Sequence, residues 1–359
     1  MFTAHGNVQV AVEAMKLGAC DYLTKPLALS ELKLAVDKAL GQERLERHLG
    51  YLQAQEPGAS GLDKLIGASE PIAALKARIR QLLAAEARHE PAAGPAVLIT
   101  GESGTGKELV ARALHYDSVR RDTPFVEINC ASIPSQLVES ELFGHERGAF
   151  TDAKVSKTGL VESADGGTLF LDEVGELDPN AQAKILRLIE NRSMRRVGSV
   201  RDRTVDIRVI AATNQPLERM IGEGKFRLDL FSRLRVVSLE LPTLRSRGED
   251  VLELAQHFLK ILGNRYGRPG LKLSPEANAA LKRHDWPGNV RELRNVIEQA
   301  VMLGASSEIE AKDLSFFPSR IFAAEKPGTI PSTLPDIERA TILDALQRSN
   351  QNVTIAARS

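Results

Sequence analysis

A glycine-rich stretch in the first third of the chain has the residue types of a phosphate-binding loop. Its sequence is GESGTGKE over residues 101–108, after an apolar run and before a helical pattern. Glycines let the backbone wrap closely around phosphate oxygens, and successive N–H groups at a helix N-terminus bind anions. Lys107 adds a point charge for the β and γ phosphates. The predicted contacts are Gly101, Glu102, Ser103, Gly104, Thr105, Gly106, Lys107 and Glu108.

A flexible surface turn is the alternative interpretation of this stretch, but the strand before it and the helix after it favour the phosphate loop. Loops of this kind usually carry Ser or Thr after the lysine, where the hydroxyl binds Mg²⁺. Glu108 occupies that position here, so the common hydroxyl ligand is absent.

Two adjacent acids, Asp172 and Glu173, follow the apolar run at residues 168–171. The carboxyl end of a parallel strand is where ligands bind in sheets of this type. Asp172 is predicted to hold Mg²⁺ through water, and Glu173 to polarise an attacking water molecule. The alternative is a helix N-terminus that takes acids for its dipole; the glycine loop nearby favours the catalytic interpretation.

Three further polar residues fit a phosphate site. Asn214 closes the stretch VIAATN at residues 209–214, where its amide can place a hydrogen-bonding group beside a γ-phosphate. The alternative is that Thr213 and Asn214 form an ordinary turn. Arg227 and Arg233 lie six residues apart in an apolar framework. They can reach the nucleotide of a neighbouring subunit and stabilise charge on its γ-phosphate, or they are ordinary solvated helix arginines.

Composition sets the limits of this chemistry. At about 150 residues per domain, the 359 residues predict two or three domains. The 43% of apolar and 26% of charged residues are typical of folded protein. The 47 basic and 47 acidic residues exclude a globally basic nucleic-acid coat. No apolar run is long enough for a membrane span, and no secretory signal is visible. The two cysteines, Cys20 and Cys130, cannot form a disulfide framework. We therefore expect a cytoplasmic protein without a membrane partner.

The order of patterns predicts an α/β fold. Strand candidates at residues 96–100, 168–171 and 205–212 alternate with helical stretches, which implies a parallel sheet covered by helices. From about residue 243 helical periodicity replaces the strand signal, so a smaller all-helical subdomain is expected. The first block has a short strand candidate at residues 22–24 between two helical stripes, and it is too small for a complete α/β domain.

Six motifs, taken together, closely resemble those of the AAA+ ATPases that activate bacterial sigma-54 RNA polymerase, the NtrC-type enhancer-binding proteins. The motifs are GESGTGKE (101–108), INCA (128–131), ELFGHERGAFTDA (141–153), GGTLFLDE (166–173), FRLDLFSRL (226–234) and WPGNVREL (286–293). The similarity covers nearly the whole chain, and the GKE form of the phosphate loop is this family's form.

The resemblance implies a P-loop ATPase with a parallel sheet and a small helical lid. Its domains are a C-terminal half of a receiver (CheY-like) domain at 1–49, a linker at 50–61, the AAA+ α/β ATPase subdomain at 62–242, the helical lid subdomain at 243–317, a second linker at 318–333 and a partial Fis-type helix-turn-helix at 334–359.

The family also implies roles for individual residues, with ATP and Mg²⁺ as cofactors. Lys107 contacts phosphates, Asp172 and Glu173 are the metal-binding and catalytic acids, and Asn214 is the first sensor. Asn129 is the switch residue that holds the catalytic glutamate until the assembly is ready. Arg227 and Arg233 act in trans, so the active form is expected to be a ring, with a hexamer as the first expectation. Arg291 is the lid sensor, and Ile66 begins the segment, residues 66–75, that covers the adenine.

The loop at residues 148–153 is the family's output element. It is GAFTGA in the family and GAFTDA here, with Phe150 and Thr151 as the residues that contact sigma-54. Asp152 removes backbone freedom and adds charge at the loop tip. The alternative hypothesis is therefore an AAA+ ATPase regulator that acts on a different client, a protein other than sigma-54. A third hypothesis is a transcription regulator that acts by DNA contact and uses nucleotide only for assembly. The presence of all the expected catalytic residues counts against it: Lys107, Asp172, Glu173, Arg227 and Arg233.

Both ends resemble truncated domains. Thr3 and the Lys25-Pro26 pair match receiver positions, but the phosphoacceptor aspartate would precede Met1, so a sensor kinase is expected to act only on a complete receiver. The recognition helix of the helix-turn-helix would follow Ser359, so enhancer DNA binding is expected to be incomplete in this chain.

Overall fold

The computed structural model describes residues 2–3, 23–24, 61–88, 94–150, 153, 155–304 and 306–316. The chain divides into two compact units, Met1–Ser60 and Gly61–Ser359. In the first unit, strands β1 (Phe2–Thr3) and β2 (Leu23–Thr24) pair in parallel, with Thr3 opposite Thr24. The predicted strand at residues 22–24 is confirmed for Leu23 and Thr24, and Tyr22 lies outside the described residues. The helical stripes of this unit, the Lys25-Pro26 pair and the tail at 334–359 lie outside the described residues.

Strands of the second unit belong to one large sheet and two small ones. They are β3 (Val97–Thr100), β4 (Phe125–Asn129), β5 (Thr168–Asp172), β6 (Ser193–Met194), β7 (Arg203–Thr204), β8 (Arg208–Thr213), β9 (Val237–Glu240), β10 (Lys272–Leu273) and β11 (Glu308–Ile309). The large sheet is parallel throughout and has the order β4-β5-β8-β3-β9.

Helices connect these strands and form the lid. The described α-helices are α1 (Glu70–Glu86), α2 (Lys107–Tyr116), α3 (Ser135–Phe143), α4 (Leu160–Ser163), α5 (Pro179–Asn191), α6 (Leu217–Gly222), α7 (Leu228–Leu234), α8 (Asp250–Arg265), α9 (Pro275–Arg283) and α10 (Asn289–Leu303). Within the described ranges, no helix has the length and apolarity needed to cross a bilayer.

The two faces of the large sheet bury separate cores, because successive side chains on a strand point to opposite faces. Leu98, Leu169 and Val209 lie in the core that α3 to α7 cover. Their chain neighbours Ile99 and Phe170 lie in the core that α1 and α2 cover. Helices therefore cover both faces of a parallel sheet, which confirms the predicted fold class.

Two strands of the sheet were not predicted from the sequence. In β4 the residues Phe125, Val126 and Glu127 are only half-buried, and β9 is also an edge strand, so neither has a continuous apolar run. The predicted strand at residues 205–212 begins later than expected, at Arg208. The N–H of Val205 instead bonds to the carbonyl of Arg192, beside the β6–β7 hairpin.

The lid has its own hydrophobic core, in which α8, α9 and α10 surround the buried Trp286. The prediction that this subdomain is all-helical is wrong in one respect. Strands β10 and β11 form a two-stranded parallel sheet, with Lys272 opposite Glu308. A strand of two residues is too short to give a periodic signal in the sequence, which explains the omission.

A histidine is buried where α2 packs on the sheet. His115 is fully buried, with Nδ1 2.9 Å from Oγ1 of Thr168. The buried guanidinium of Arg208 donates to the carbonyl of Leu114 and pairs with Glu86. Burial, assisted by the positive charges of Arg208 and Arg120, lowers the pKa of His115 to about 4.

We expect this histidine to make stability depend on pH. Its folded pKa lies below its unfolded value, so the stabilisation is complete above about pH 6.5 and declines as the pH falls towards 4, by about 3 kcal/mol in all. Urea unfolding of the wild type and of His115→Gln at pH 7 and pH 4 tests this. A pH dependence of equal size in both proteins would contradict the assignment to His115.

Candidate functional site

Four chain segments meet at the carboxyl edge of the large sheet. The glycine-rich loop follows β3, Asn129 ends β4, Asp172 ends β5, and Asn214 follows β8. These strands are neighbours in the order β4-β5-β8-β3. The structure thus brings Lys107, Asn129, Asp172, Glu173 and Asn214 to one edge, where ligands bind in open parallel sheets.

The glycine loop has the backbone shape that an anion site needs. Gly104 has a φ of +78° and Gly106 a φ of +105°, values that favour glycine. A Cβ atom on Gly104 would lie 2.4 Å from the carbonyl oxygen of Gly288. The backbone N–H groups of Gly104, Gly106 and Lys107 donate no hydrogen bond within the part of the chain that the structure describes. Free N–H groups at a helix N-terminus are suited to phosphate oxygens.

Lys107 lies between the glycine-rich loop and Glu173. Its buried ammonium donates to the carbonyls of Gly101 (3.1 Å) and Glu102 (3.4 Å). It also lies 3.7 Å from Oε1 of Glu173. A positive charge is therefore fixed beside the loop, where it can approach phosphate oxygens.

A strained backbone orients the acid pair. Glu173 has a φ of +51°, a left-handed conformation that costs a residue with a side chain about 1–2 kcal/mol. Its Oε2 accepts the N–H of Asn214 at 3.1 Å, and Oδ1 of Asp172 accepts the N–H of Glu173 at 3.1 Å. Burial, together with the charge of Glu173, raises the pKa of Asp172. A nearby cation would relieve this repulsion.

Asn129 does not make the contact that the family resemblance implies. Its Nδ2 donates to Oδ2 of Asp172 at 3.4 Å, and its Oδ1 accepts the N–H of Ala131 at 2.9 Å. Asn129 and Asp172 are register partners of β4 and β5, so their side chains are adjacent. The left-handed turn at Glu173 instead takes that carboxylate to the backbone of Asn214.

The start of α10 contacts the loop from the lid. Nη1 of Arg291 donates to Oγ of Ser103 at 2.9 Å, so the predicted lid sensor lies at the loop. The turn before α10 is held by the buried Glu292, whose carboxylate accepts the N–H of Gly288 at 2.8 Å and lies 2.8 Å from Nε2 of His284. Three residues of the WPGNVREL motif thus have a structural role here: Gly288 and Glu292 in the turn, and Arg291 at the loop.

The segment expected at the adenine is attached to the lid. Oδ1 of Asp250 accepts the N–H groups of Ala68 and Ser69, each at 2.9 Å. Arg247 pairs with Asp250 at 3.1 Å and donates to the carbonyl of Ile66. Arg247 and Asp250 were not predicted as site residues from the sequence, although both are buried. The signal that could have indicated them is the presence of charged residues between apolar residues of the lid.

Arg227 and Arg233 lie apart from this cluster. Arg227 pairs with Asp229 at 2.6 Å and Arg233 with Glu190 at 2.8 Å, and both arginines are about half exposed. Among the contacts of the described residues, neither guanidinium bonds to the glycine loop or to the acid pair of its own chain.

Backbone hydrogen bonds fix the segment that leads into the loop at residues 148–153. His145 forms backbone bridges to Lys157 and to Val197 of the β6–β7 connection. The ring of Phe150 packs edge-on against His145 with centroids 4.9 Å apart, and Phe150 remains 39% exposed rather than buried in the core. Thr151 and Asp152 lie outside the described residues.

Two protein families match the chain. Residues 65–240 match the Sigma-54 interaction domain, and residues 245–327 match the AAA+ ATPase lid domain. The first match includes the loop, the acid pair, Asn214 and both arginines, and the second includes Arg247, Asp250 and the start of α10.

Curated relatives match over most of the chain. The transcriptional regulatory protein ZraR of Salmonella typhimurium is 43% identical over 360 residues, which cover 100% of this chain and 78% of the relative. The regulatory protein AtoC of Escherichia coli is 43% identical over 314 residues, 88% of this chain and 66% of the relative. The DNA-binding transcriptional regulator NtrC of Salmonella typhimurium is 41% identical over 358 residues, 98% of this chain and 73% of the relative.

Solved structures of NtrX from Brucella abortus share the fold. The complex with ADP is 35% identical with a TM-score of 0.64, covering 100% of this chain and 79% of that one. The complex with ATP is 34% identical with a TM-score of 0.64, covering 100% and 78%.

We expect Asp250→Ala to destabilise the protein by about 3–5 kcal/mol, because it leaves the buried guanidinium of Arg247 without its carboxylate partner. Urea unfolding measures this change. The adjacent Glu249→Ala is the matched control, since Glu249 is exposed and pairs only at the surface with Lys282; its cost should stay below about 1 kcal/mol. Equal effects of the two substitutions would contradict the buried-pair argument.

Proposed function

This chain belongs to the family of sigma-54-dependent response-regulator activators, and on that premise we propose that it hydrolyses ATP to remodel the closed complex of sigma-54 RNA polymerase into an open one. The observation that carries the proposal is the placement of Lys107, Asp172, Glu173 and Asn214 at one sheet edge, beside a loop with free N–H groups.

The loop and the acid pair divide the work of holding the nucleotide. The N–H groups of the loop and the ammonium of Lys107 bind the β and γ phosphates. The half-buried carboxylate of Asp172 is the kind of oxygen donor that Mg²⁺ prefers. Its pKa is raised by burial and, after that, by the negative charge of Glu173. When bound, Mg²⁺ supplies positive charge that neutralises phosphate oxygens. Arg291 and the segment that begins at Ile66 complete the nucleotide site.

Glu173 is the general base. It accepts a proton from a water molecule as the water oxygen attacks the γ-phosphorus and the bond to the β–γ bridging oxygen breaks, which gives ADP and phosphate. The main-chain N–H of Asn214 holds the Glu173 carboxylate at 3.1 Å. The ammonium of Lys107 lies 3.7 Å from Oε1 of the same carboxylate. Asn129 is the proposed switch residue that holds Glu173 until the ring is assembled; in this structure its amide donates to Asp172 instead.

Arg227 and Arg233 complete the site of a neighbouring subunit in a ring, for which a hexamer is the working hypothesis. Their present partners, Asp229 and Glu190, are surface carboxylates, and exposed ion pairs contribute little to stability because water screens them. Both guanidinium groups can therefore leave these partners for the phosphate of a neighbour at little cost.

The loop with Phe150 engages sigma-54. A partly exposed aromatic ring on a loop is a suitable anchor for a protein partner. The alternative is an AAA+ regulator with a different client, since Asp152 replaces the glycine of the family's loop. The cytoplasm as compartment, enhancer DNA through a complete helix-turn-helix, and a sensor kinase acting on a complete receiver are further parts of the proposal.

We expect Glu173→Gln to lower kcat for ATP hydrolysis by at least about 100-fold, because it removes the proton acceptor, while ATP still binds. Steady-state phosphate release and equilibrium ATP binding measure the two properties. Glu218→Gln, an exposed glutamate on α6, is the control and should keep wild-type turnover. Undiminished turnover in Glu173→Gln would refute its role as base.

We expect the protein to form a stable complex with sigma-54 only when ADP and aluminium fluoride are present, because this mimic of the transition state fixes the output loop. Native gel electrophoresis detects the complex, and Asp152→Gly provides a matched comparison. A complex with both proteins supports the activator. If only Asp152→Gly forms one, Asp152 impairs sigma-54 engagement; if neither does while hydrolysis persists, the client is different.

A further inference from the structure

Two carbonyl groups of the phosphate loop, those of Ser103 and Gly104, obtain their hydrogen-bond donors from the lid. A loop that leaves its N–H groups free for phosphate must satisfy its carbonyl groups elsewhere, since unpaired backbone groups are costly. Here the carbonyl of Ser103 accepts Nδ2 of Asn289 at 3.1 Å, and the carbonyl of Gly104 accepts the N–H of Val290 at 3.0 Å. The shape of the loop therefore depends on residues that lie 186 positions away in sequence.

Asn289 is held rigidly for this task. It is fully buried and has a φ of +52°, which asparagine tolerates better than most residues. Its Oδ1 accepts the N–H of Leu244 at 2.8 Å, which fixes the orientation of the amide. Its Nδ2 therefore faces both the Ser103 carbonyl and Oε2 of Glu102, the latter at 3.0 Å.

Glu102 extends the same contact to a second lid residue. Both carboxylate oxygens accept from the guanidinium of Arg245, Oε2 at 3.0 Å from Nη1 and Oε1 from Nη2. The hydrogen bond from Arg245, assisted by that from Asn289, keeps the pKa of Glu102 below its usual value despite partial burial. The carboxylate of Glu102 is thus occupied by the lid.

We propose that Glu102, Arg245 and Asn289 form a lid clamp, a set of positioning residues that gives the loop its phosphate-binding shape. This inference rests on the proposed ATPase function. The clamp acts through carbonyl groups and a carboxylate of the loop, whereas phosphate binds the N–H groups. Its residues therefore affect nucleotide affinity through the loop backbone.

Because of the clamp, the affinity for nucleotide depends on the position of the lid relative to the phosphate loop. Moving α10 away removes donors from Ser103 and Gly104, and the loop then loses its fixed shape and its hold on phosphate. The 3₁₀ helix that carries Arg245 (Leu244–Arg247) also carries Arg247, which bonds to the segment at Ile66. One short lid segment thus contacts both ends of the nucleotide site.

The test measures ADP binding to the full chain, which requires neither hydrolysis nor sigma-54. Asn289→Gly keeps the left-handed backbone and removes the amide, and should raise Kd for ADP about 10-fold. Glu102→Gln removes the charged, partly exposed pair and should raise Kd about 3-fold. The double variant should fall short of the 30-fold product, because the two residues share a contact.

Arg219→Gln is the matched control, because it breaks an exposed arginine–glutamate pair on α6 and should leave Kd unchanged. If both clamp variants keep Kd within about twofold of wild type while their melting temperatures fall, the contacts are merely structural and the inference is overturned. If Asn289→Gly does not fold, Glu102→Gln decides alone. If the wild-type chain does not bind ADP, the proposed function itself fails, a result distinct from loss of the clamp effect.

Discussion

The parallel hydrogen-bond ladder through β5 determines the geometry of the whole site. It sets Asn129 opposite Asp172 on one side and leaves the residue after β8 within reach of Glu173 on the other. Because parallel strands end at the same edge, four segments far apart in sequence deliver their polar residues to one place. The helices on both faces exclude water from this ladder, and the lid contacts the loop after β3 and the segment at Ile66–Ser69.

Local patterns carry the parts of this site that could be predicted from the sequence. The glycine loop and the acid pair are each contiguous in the chain, and each follows an apolar run that marks a buried strand. The edge strands β4 and β9 could not be recognised because one side of each lacks a neighbouring strand, so their residues alternate weakly or are half-buried.

Contacts between distant segments account for what the sequence did not reveal. Glu102 and Asn289 are 187 positions apart, and no local rule relates them. Asp250 is the first residue of α8, yet its side chain binds the backbone at Ala68 and Ser69, which lie 182 and 181 positions earlier in the chain. In this structure Asn129 donates to Asp172 and not to Glu173, because the left-handed conformation of Glu173 turns its carboxylate towards Asn214, and the residue type of Glu173 does not disclose that conformation.

The backbone bridges at His145 have a mechanical consequence. His145 is joined to Lys157 on one side and to Val197 on the other, and the N–H of Glu146 bonds to the carbonyl of Val197 at 3.0 Å. Strand β6, which leads to Val197, follows α5 after the single left-handed residue Arg192, and α5 has 13 residues and is about 20 Å long. Because backbone hydrogen bonds join Val197 to the segment at His145, a displacement of the β6–β7 connection also displaces the residues that lead into Phe150.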